Sequence, residues 1–187
     1  RFSFVLTGGK SPVKLYKKIN KSKINFKNID FFLGDERHVS KKSKFSNLLL
    51  IKNNLFYQNG IKDKQIFSID TNMRATGAIA KKYENKIKKY FKNKKIGFDL
   101  ILLGMGLDGH IASIFSNKKS KELVTSVNRE DFKRISMSIK LINKSKQIWL
   151  WLPTNKKSKL FQNFKNNKNI PVNLLKNKKL KIFSILR

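Results

Sequence analysis

Phe98-Asp99-Leu100-Ile101-Leu102-Leu103-Gly104-Met105-Gly106-Leu107-Asp108-Gly109-His110 is the stretch on which the reading of the fold turns. Residues 98–103 read as an apolar strand, and such runs belong where both faces of a strand are covered. The strand stops at a glycine-rich turn that carries an acid and a histidine. Outward in both directions, strand and helix patterns alternate. Residues 2–7 are a short apolar run ending in Gly8-Gly9, and residues 12–19 follow as a short helix with proline in its first turn. Residues 29–33 read as a strand, 46–56 as a helix and 66–69 as a brief strand. Over residues 75–91, Ile79, Tyr83, Ile87 and Tyr90 recur at helical spacing and form one apolar face. Beyond the opening stretch, residues 111–115 read as a short helix, 133–138 and 147–152 as strands, 158–164 as a helix and 180–186 as a last strand. This alternation predicts an α/β fold: a mostly parallel, doubly wound, Rossmann-like sheet flanked by helices. No linker splits the chain, so residues 1–187 are expected to form a single domain.

The 187 residues carry 43 basic and 11 acidic side chains, a formal net charge of +32. Charge of that size raises the alternative of a lysine-rich nucleic-acid-binding protein. The rest of the composition argues otherwise. Arginine stands only at positions 1, 37, 74, 129, 134 and 187, and alanine only at 75, 78, 80 and 112. Lysine, asparagine, isoleucine and phenylalanine, all abundant, share AT-rich codons. Codon bias therefore explains the whole trend, whereas a nucleic-acid surface explains only the charge. Dedicated binders also favour the planar fork of arginine. Lysine- and asparagine-rich stretches near 20–28, 92–95, 117–121 and 163–169 read as surface loops and helix ends. There is no cysteine, which excludes disulfides, thiolate metal sites and a cysteine nucleophile. Two histidines, His38 and His110, leave little room for a histidine-rich metal site. No apolar run reaches the roughly 20 residues of a membrane helix, and no secretory signal is visible, so no membrane partner and a cytoplasmic location are expected.

Ligands of open α/β sheets bind beyond the carboxyl ends of the strands. Three strands here end in polar clusters: Thr7-Gly8-Gly9-Lys10-Ser11-Pro12, Gly34-Asp35-Glu36-Arg37-His38, and Gly104 to His110. Parallel strands bring all three to one rim. The first cluster leads from glycines into a helix with Lys10 and Ser11 beside it, the makings of a phosphate cradle. The second offers Arg37 to a carboxylate or a developing oxyanion, with Asp35 to orient it. The third matches a dinucleotide fingerprint in form, but only about seven residues follow before Asn117-Lys118-Lys119, too few for the long helix such a loop opens. It reads better as a rigid turn presenting His110 as a general base with Asp108 to fix its tautomer.

Four segments resemble the signatures of bacterial 6-phosphogluconolactonases, in that family's order and spacing. They are Thr7 to Pro12; Gly34-Asp35-Glu36-Arg37 with Ser46-Asn47 downstream; Gly104 to His110 continuing through Ile111-Ala112-Ser113-Ile114-Phe115; and Arg134-Ile135-Ser136-Met137. The resemblance extends from about Phe2 to the C-terminus. Glucosamine-6-phosphate deaminases share the fold, but are expected to carry tyrosine after Asp-Glu and Phe-Asn-Glu after His-Ile-Ala. This chain has Arg37 and Ser113-Ile114-Phe115 in those places. The deaminase/isomerase reading is kept as the same-fold alternative.

The resemblance implies hydrolysis of 6-phosphoglucono-δ-lactone to 6-phosphogluconate in the oxidative pentose phosphate pathway, without metal or organic cofactor. It implies catalytic roles for His110, Asp108 and Arg37. It implies substrate binding by Gly8, Gly9, Lys10, Ser11, Asp35 and Arg134, and by a late lysine, Lys157, with Lys156 and Lys159 as alternatives. Two departures stand out in the residues: Lys10-Ser11 where Ser-Thr is usual, and Thr154 where a glycine usually precedes the late lysine. Relatives usually begin with a helix ahead of the first strand, so one sheet face is expected to expose apolar surface. Which way Trp149 and Trp151 face is left open.

Overall fold

Three short apolar runs make the centre of the molecule. In the computed structural model, which describes residues 1–118, 120–176, 178 and 180–185, β1 (Phe2–Leu6) lies between β2 (Ile29–Leu33) and β5 (Leu100–Gly104). Val5, Phe31, Phe32 and Ile101 are fully buried, as strands covered on both faces require. With β4 (Ile66–Phe67), β8 (Ile148–Leu152) and β9 (Leu180–Ser184), they form a six-stranded sheet in the order β4-β2-β1-β5-β8-β9, and every pairing is parallel. The chain first builds outward from β1 through β2 to β4, then crosses back to β5 and builds the other way. The switch point therefore lies between β1 and β5, where a crevice opens in sheets of this kind.

A second sheet of three antiparallel strands, β3 (Asp35–Arg37), β7 (Lys133–Met137) and β6 (Val124–Asn128), stands beside the first. Gly34 joins the two. Its N–H donates to Leu6 O of the parallel sheet at 3.0 Å, and its carbonyl accepts from Met137 N of the antiparallel sheet at 2.8 Å. The strand expected at 133–138 forms β7, which lies outside the parallel sheet: it pairs in hairpin fashion with β6, an element the sequence did not announce, and with β3.

The helices are α1 (Val13–Asn20), α2 (Asn47–Ile51, continued by a π turn over Lys52–Phe56), α3 (Thr76–Tyr90), α4 (Ile139–Ile142) and α5 (Asn155–Phe164). On α3, Ile79, Tyr83 and Ile87 are buried at intervals of four, as the periodicity predicts, and the helix packs on β6 and β7. On α5, the Thr154 hydroxyl accepts from Lys157 N at 3.3 Å and starts the helix three residues ahead of the predicted 158–164. The short helix expected at 111–115 does not form. Ala112 takes a left-handed φ of 48°, and the Ser113 N–H and hydroxyl bond across to Ser136 and Asp35. These long-range bonds outweigh local propensity. The last strand ends at Ser184, and Leu186, to which it was expected to run, lies outside the described residues, as does Lys119 of the 117–121 stretch.

Trp149 and Trp151 are half-buried and pack against Phe183 of β9, with ring centroids 5.1 and 6.2 Å away. Ile182, Phe183 and Ile185 remain exposed on and just after β9, and Phe2, Ile24, Phe45, Tyr57 and Leu107 are exposed elsewhere. No helix among the described residues is long and apolar enough to cross a membrane.

Candidate active site

An open cleft of about 210 Å³ lies at the switch point. Gly8, Gly9, Lys10 and Ser11 enter it from the turn after β1, Asp35 and Arg37 from β3, His110 from the turn after β5, Arg134 from β7 and Lys157 from the first turn of α5. Asp108 stands just outside the lining, more than half exposed, and reaches the site through His110. Of the three candidate lysines, Lys157 lines the cleft, while Lys156 and Lys159 are exposed on α5. His38 lies elsewhere, its ring nitrogen 2.8 Å from Met73 O.

The turn after β5 is closed by its own bonds. Gly106 N donates to His110 O at 2.8 Å, and Asp108 Oδ1 lies 2.6 Å from His110 Nδ1 and accepts from the His110 N–H at 3.2 Å. This leaves Nε2 as the free ring nitrogen. A Cβ at position 106 would sit 2.1 Å from the imidazole, so the turn closes this tightly only around glycine. On its other side the imidazole meets the Phe115 ring at a centroid distance of 4.4 Å. The Arg129 and Arg134 guanidinium carbons stand over that same ring, 4.5 and 5.4 Å from its centroid.

Arg37 and Arg134 are direct partners in the β3–β7 ladder. Like charges in register destabilise a strand pair, and Asp131, ion-paired to Arg134, and the buried Asp35 near both guanidinium groups offset part of that charge. Arg37 Nη1 donates to Phe45 O at 2.8 Å, and Arg134 Nη2 donates to Asp131. The Nε atoms of both arginines are buried with no hydrogen-bond partner. Lys157 adds a third cation. Its Nζ donates to Ser11 Oγ at 2.8 Å and Met105 O at 2.6 Å, and no carboxylate among the described residues forms an ion pair with it. Burial pushes its ammonium below the usual lysine range.

Two residues of this arrangement stand in the sequence motifs without a role that the sequence reveals. Asn47 Nδ2 donates to Asp35 O at 3.1 Å and to Asp35 Oδ1 at 3.2 Å, while its own Oδ1 is buried and unpartnered. Ser113 Oγ donates to Asp35 Oδ2 at 2.7 Å. Glu36, which reads as part of a polar loop, points away and caps α2. It accepts from Asn47 N at 2.7 Å, Leu48 N at 2.8 Å and Ser46 Oγ at 3.1 Å.

Residues 1–183 match the family model described as glucosamine-6-phosphate isomerases/6-phosphogluconolactonase. The chain belongs to this isomerase/lactonase family. It is 40% identical over 111 residues to the 6-phosphogluconolactonase of Thermotoga maritima, an alignment covering 59% of this chain and 48% of that protein. It is 32% identical over 172 residues to the 6-phosphogluconolactonase of a Nostoc species, covering 88% of this chain and 72% of that one. In the first of these alignments the chain thus spans about half the relative's length. The crystal structure of the Thermotoga maritima 6-phosphogluconolactonase superposes with a TM-score of 0.87 at 29% identity, over 97% of this chain and 84% of that one. A monomeric glucosamine-6-phosphate deaminase shares the fold, with a TM-score of 0.79 at 19% identity.

The carboxylates in and around this isomerase/lactonase-family cleft fall into two groups. Burial pushes the Asp35 carboxyl up, opposed by the Ser113 hydroxyl and by the charges of Arg37, Arg134 and His110. Burial likewise raises Glu36 against the backbone N–H groups of Leu48, Asn47 and Arg37. Burial also works to raise Asp108, but its bonds to His110 prevail and hold it below the ordinary carboxylate range. Among the described residues, no group of three or more His, Asp or Glu side chains converges as a metal site would.

Proposed function

We propose that this protein hydrolyses 6-phosphoglucono-δ-lactone to 6-phosphogluconate, as a cytoplasmic enzyme of the oxidative pentose phosphate pathway carried on one domain. The observation that carries this reading is the composition of the cleft. An Asp108–His110 pair faces a glycine turn and four cations, Lys10, Arg37, Arg134 and Lys157, of which only Arg134 forms an ion pair among the described residues. A phosphorylated substrate would supply the missing anion, and an acyl carbon would need the base.

In this reading the N–H groups of Gly8 and Gly9, Lys10, the Ser11 hydroxyl, Lys157 and Arg134 hold the phosphate. Asp35 accepts from a sugar hydroxyl and keeps Arg37 in place. With Asp108 accepting from Nδ1–H, His110 Nε2 takes a proton from water as the water oxygen attacks the lactone carbonyl. The Arg37 guanidinium stabilises the tetrahedral oxyanion. As the ring C–O bond breaks, the imidazolium returns its proton to the departing ring oxygen. The products are a hydroxyl and a carboxylic acid, which ionises. The lactone also opens slowly in water, so anchoring the phosphate contributes by positioning as well as by acid–base chemistry.

The test is lactone hydrolysis by the purified protein at slightly acidic pH, where spontaneous opening is slow. Saturable hydrolysis of 6-phosphogluconolactone is expected, with no ammonia released from glucosamine 6-phosphate. Ammonia release without lactone hydrolysis would replace this reading with that of the deaminase.

A further inference from the structure

Two tyrosines on different helices do the same thing to two different strand ends. The Tyr16 hydroxyl, on α1, donates to Thr7 O at 2.6 Å and accepts from Thr7 N at 3.2 Å. The Tyr83 hydroxyl, on α3, donates to Leu33 O at 2.9 Å and accepts from Leu33 N at 3.0 Å. Each phenol thus takes both polar groups of a single backbone unit, as a neighbouring strand would. Thr7 lies beyond the ladder, and Leu33, paired with Leu6 on its β1 side, lies beyond it on its β4 side. The β1–β5 pairing covers Phe4 and Val5 and the β1–β2 pairing stops at Leu6, so Thr7 has no strand partner. The β2–β4 pairing stops at Phe32, one residue short of Leu33. Among the described residues the turn after β5 has no such phenol, and there the ladder continues through Gly104, paired with Trp151.

Thr7 is the last residue before Gly8, which opens the anion turn. Leu33 is the last before Gly34, which opens the segment bearing Asp35 and Arg37. Both tyrosines are buried, Tyr16 at 0% and Tyr83 at 2% exposure. Burial pushes both phenols far above their usual range, so they stay protonated and able to donate. Packing alone needs no hydroxyl at either position, since phenylalanine has the same ring.

We propose that Tyr16 and Tyr83 are positioning residues for the reaction: Tyr16 fixes the departure of the phosphate-holding turn, and Tyr83 fixes the departure of the strand that carries Asp35 and Arg37. The proposal rests on the lactonase reading, and it divides the kinetic parameters between the two helices. Tyr16→Phe is expected to raise KM for 6-phosphogluconolactone by about threefold to tenfold with kcat nearly unchanged. Tyr83→Phe is expected to lower kcat by a similar factor of about three to ten with KM nearly unchanged.

A second measurement needs no variant and no activity. In the wild-type protein the Thr7 and Leu33 amides should exchange with solvent as slowly as ladder amides, although neither donates to a strand. In Tyr16→Phe the Gly8, Gly9 and Lys10 amides should exchange faster while those of residues 35–37 do not, and Tyr83→Phe should show the reverse. Lower melting temperatures with unchanged kcat and KM would overturn the proposal, because a purely structural hydroxyl gives that result. Fast exchange of Thr7 and Leu33 in the wild type would overturn it too. If the wild-type protein does not hydrolyse the lactone, the functional reading falls and the exchange pattern alone decides whether the phenols hold the turns.

Discussion

Apart from Gly104 at the end of β5, the parallel sheet reaches the cleft with residues beyond the ends of its strands, whereas the antiparallel sheet reaches it with the strands themselves. Gly8 to Ser11, His110 and Lys157 all lie past strand ends, in turns or in a helix's first turn. Asp35 and Arg37 sit within β3 and Arg134 within β7, locked by the register Asp35↔Ser136 and Arg37↔Arg134. A turn can be altered one residue at a time. A register cannot, since a one-residue slip moves every side chain to the other face. The antiparallel sheet therefore holds its two guanidinium groups at fixed separation despite their repulsion, and the parallel sheet adapts its turns around them.

The largest effect expected on the parallel side is that of His110→Ala. In a lactonase, kcat should fall by about 10²–10⁴ while the melting temperature and far-UV circular dichroism stay near those of the wild type. An unchanged kcat would remove the base from the turn and with it the division of labour between the sheets. On the antiparallel side, Arg134→Met separates function from stability. KM should rise by about tenfold or more, yet urea unfolding should show stability held or raised by up to about 1 kcal/mol, because a like-charge cross-strand pair is relieved. A clear loss of stability would mean that the Asp131 ion pair and the ring contacts of Arg134 with Phe115 and Phe132 outweigh the relieved repulsion.

Gly8→Ala tests the seam between the two sheets. A Cβ there would lie 2.0 Å from Asn47 Oδ1, so the turn or the Asn47 amide that holds Asp35 must move. A destabilisation of about 1–3 kcal/mol in urea unfolding is expected, together with a raised KM. The smallest predicted effect is a difference in the sign of a pH slope. Asp35 has a folded-state pKa above its unfolded value, so ionisation opposes folding. Relative to Asp35→Asn, the wild type should gain stability as pH falls through that raised value toward 3.8. Asp99, beside β5, is the opposite case. Burial works to raise it, but Lys146 and the Ser3 N–H and hydroxyl prevail and hold it low. Its stabilisation is present above 3.8 and lost as pH falls through the lowered folded value. Relative to Asp99→Asn, the wild type should therefore lose stability on acidification. Urea unfolding of the wild type and both variants between pH 3 and 7 checks the two slopes.

The same contrast explains what the sequence revealed. The parallel strands announce themselves, since burial on both faces leaves apolar runs such as Leu100–Leu103 that little else produces. The glycine turns behind them are legible for the same reason, because their positions follow from the strands. β3 is Asp35-Glu36-Arg37 and has no apolar residue at all. It is a strand only because β7 lies alongside, which no local pattern encodes. β6, Val-Thr-Ser-Val-Asn, is half-exposed and mixes polar with apolar residues, so it does not stand out. The short helix expected at 111–115 failed for a related reason: Ser113 bonds to Asp35, 78 residues away in sequence. In the cleft, the residues that carry charge were readable by type. The ones that hold them were not. Asn47 stands in a recognised motif, but its bond to Asp35 is not written there, and Tyr16 and Tyr83 read as apolar positions on helices, which describes their rings and misses their hydroxyls.

Lys157 carries one more consequence. An ammonium drawn out of water, with a hydroxyl and a carbonyl for company but no opposing charge, costs the empty protein free energy that an anion would return. Folding and occupancy are therefore linked. An anion held at 100 times its dissociation constant adds about 2.7 kcal/mol to stability, and part of that increment should vanish in Lys157→Met, which removes the ammonium. The empty protein is its own least stable form, and its resistance to unfolding and proteolysis should rise with the concentration of anions that fit the cleft.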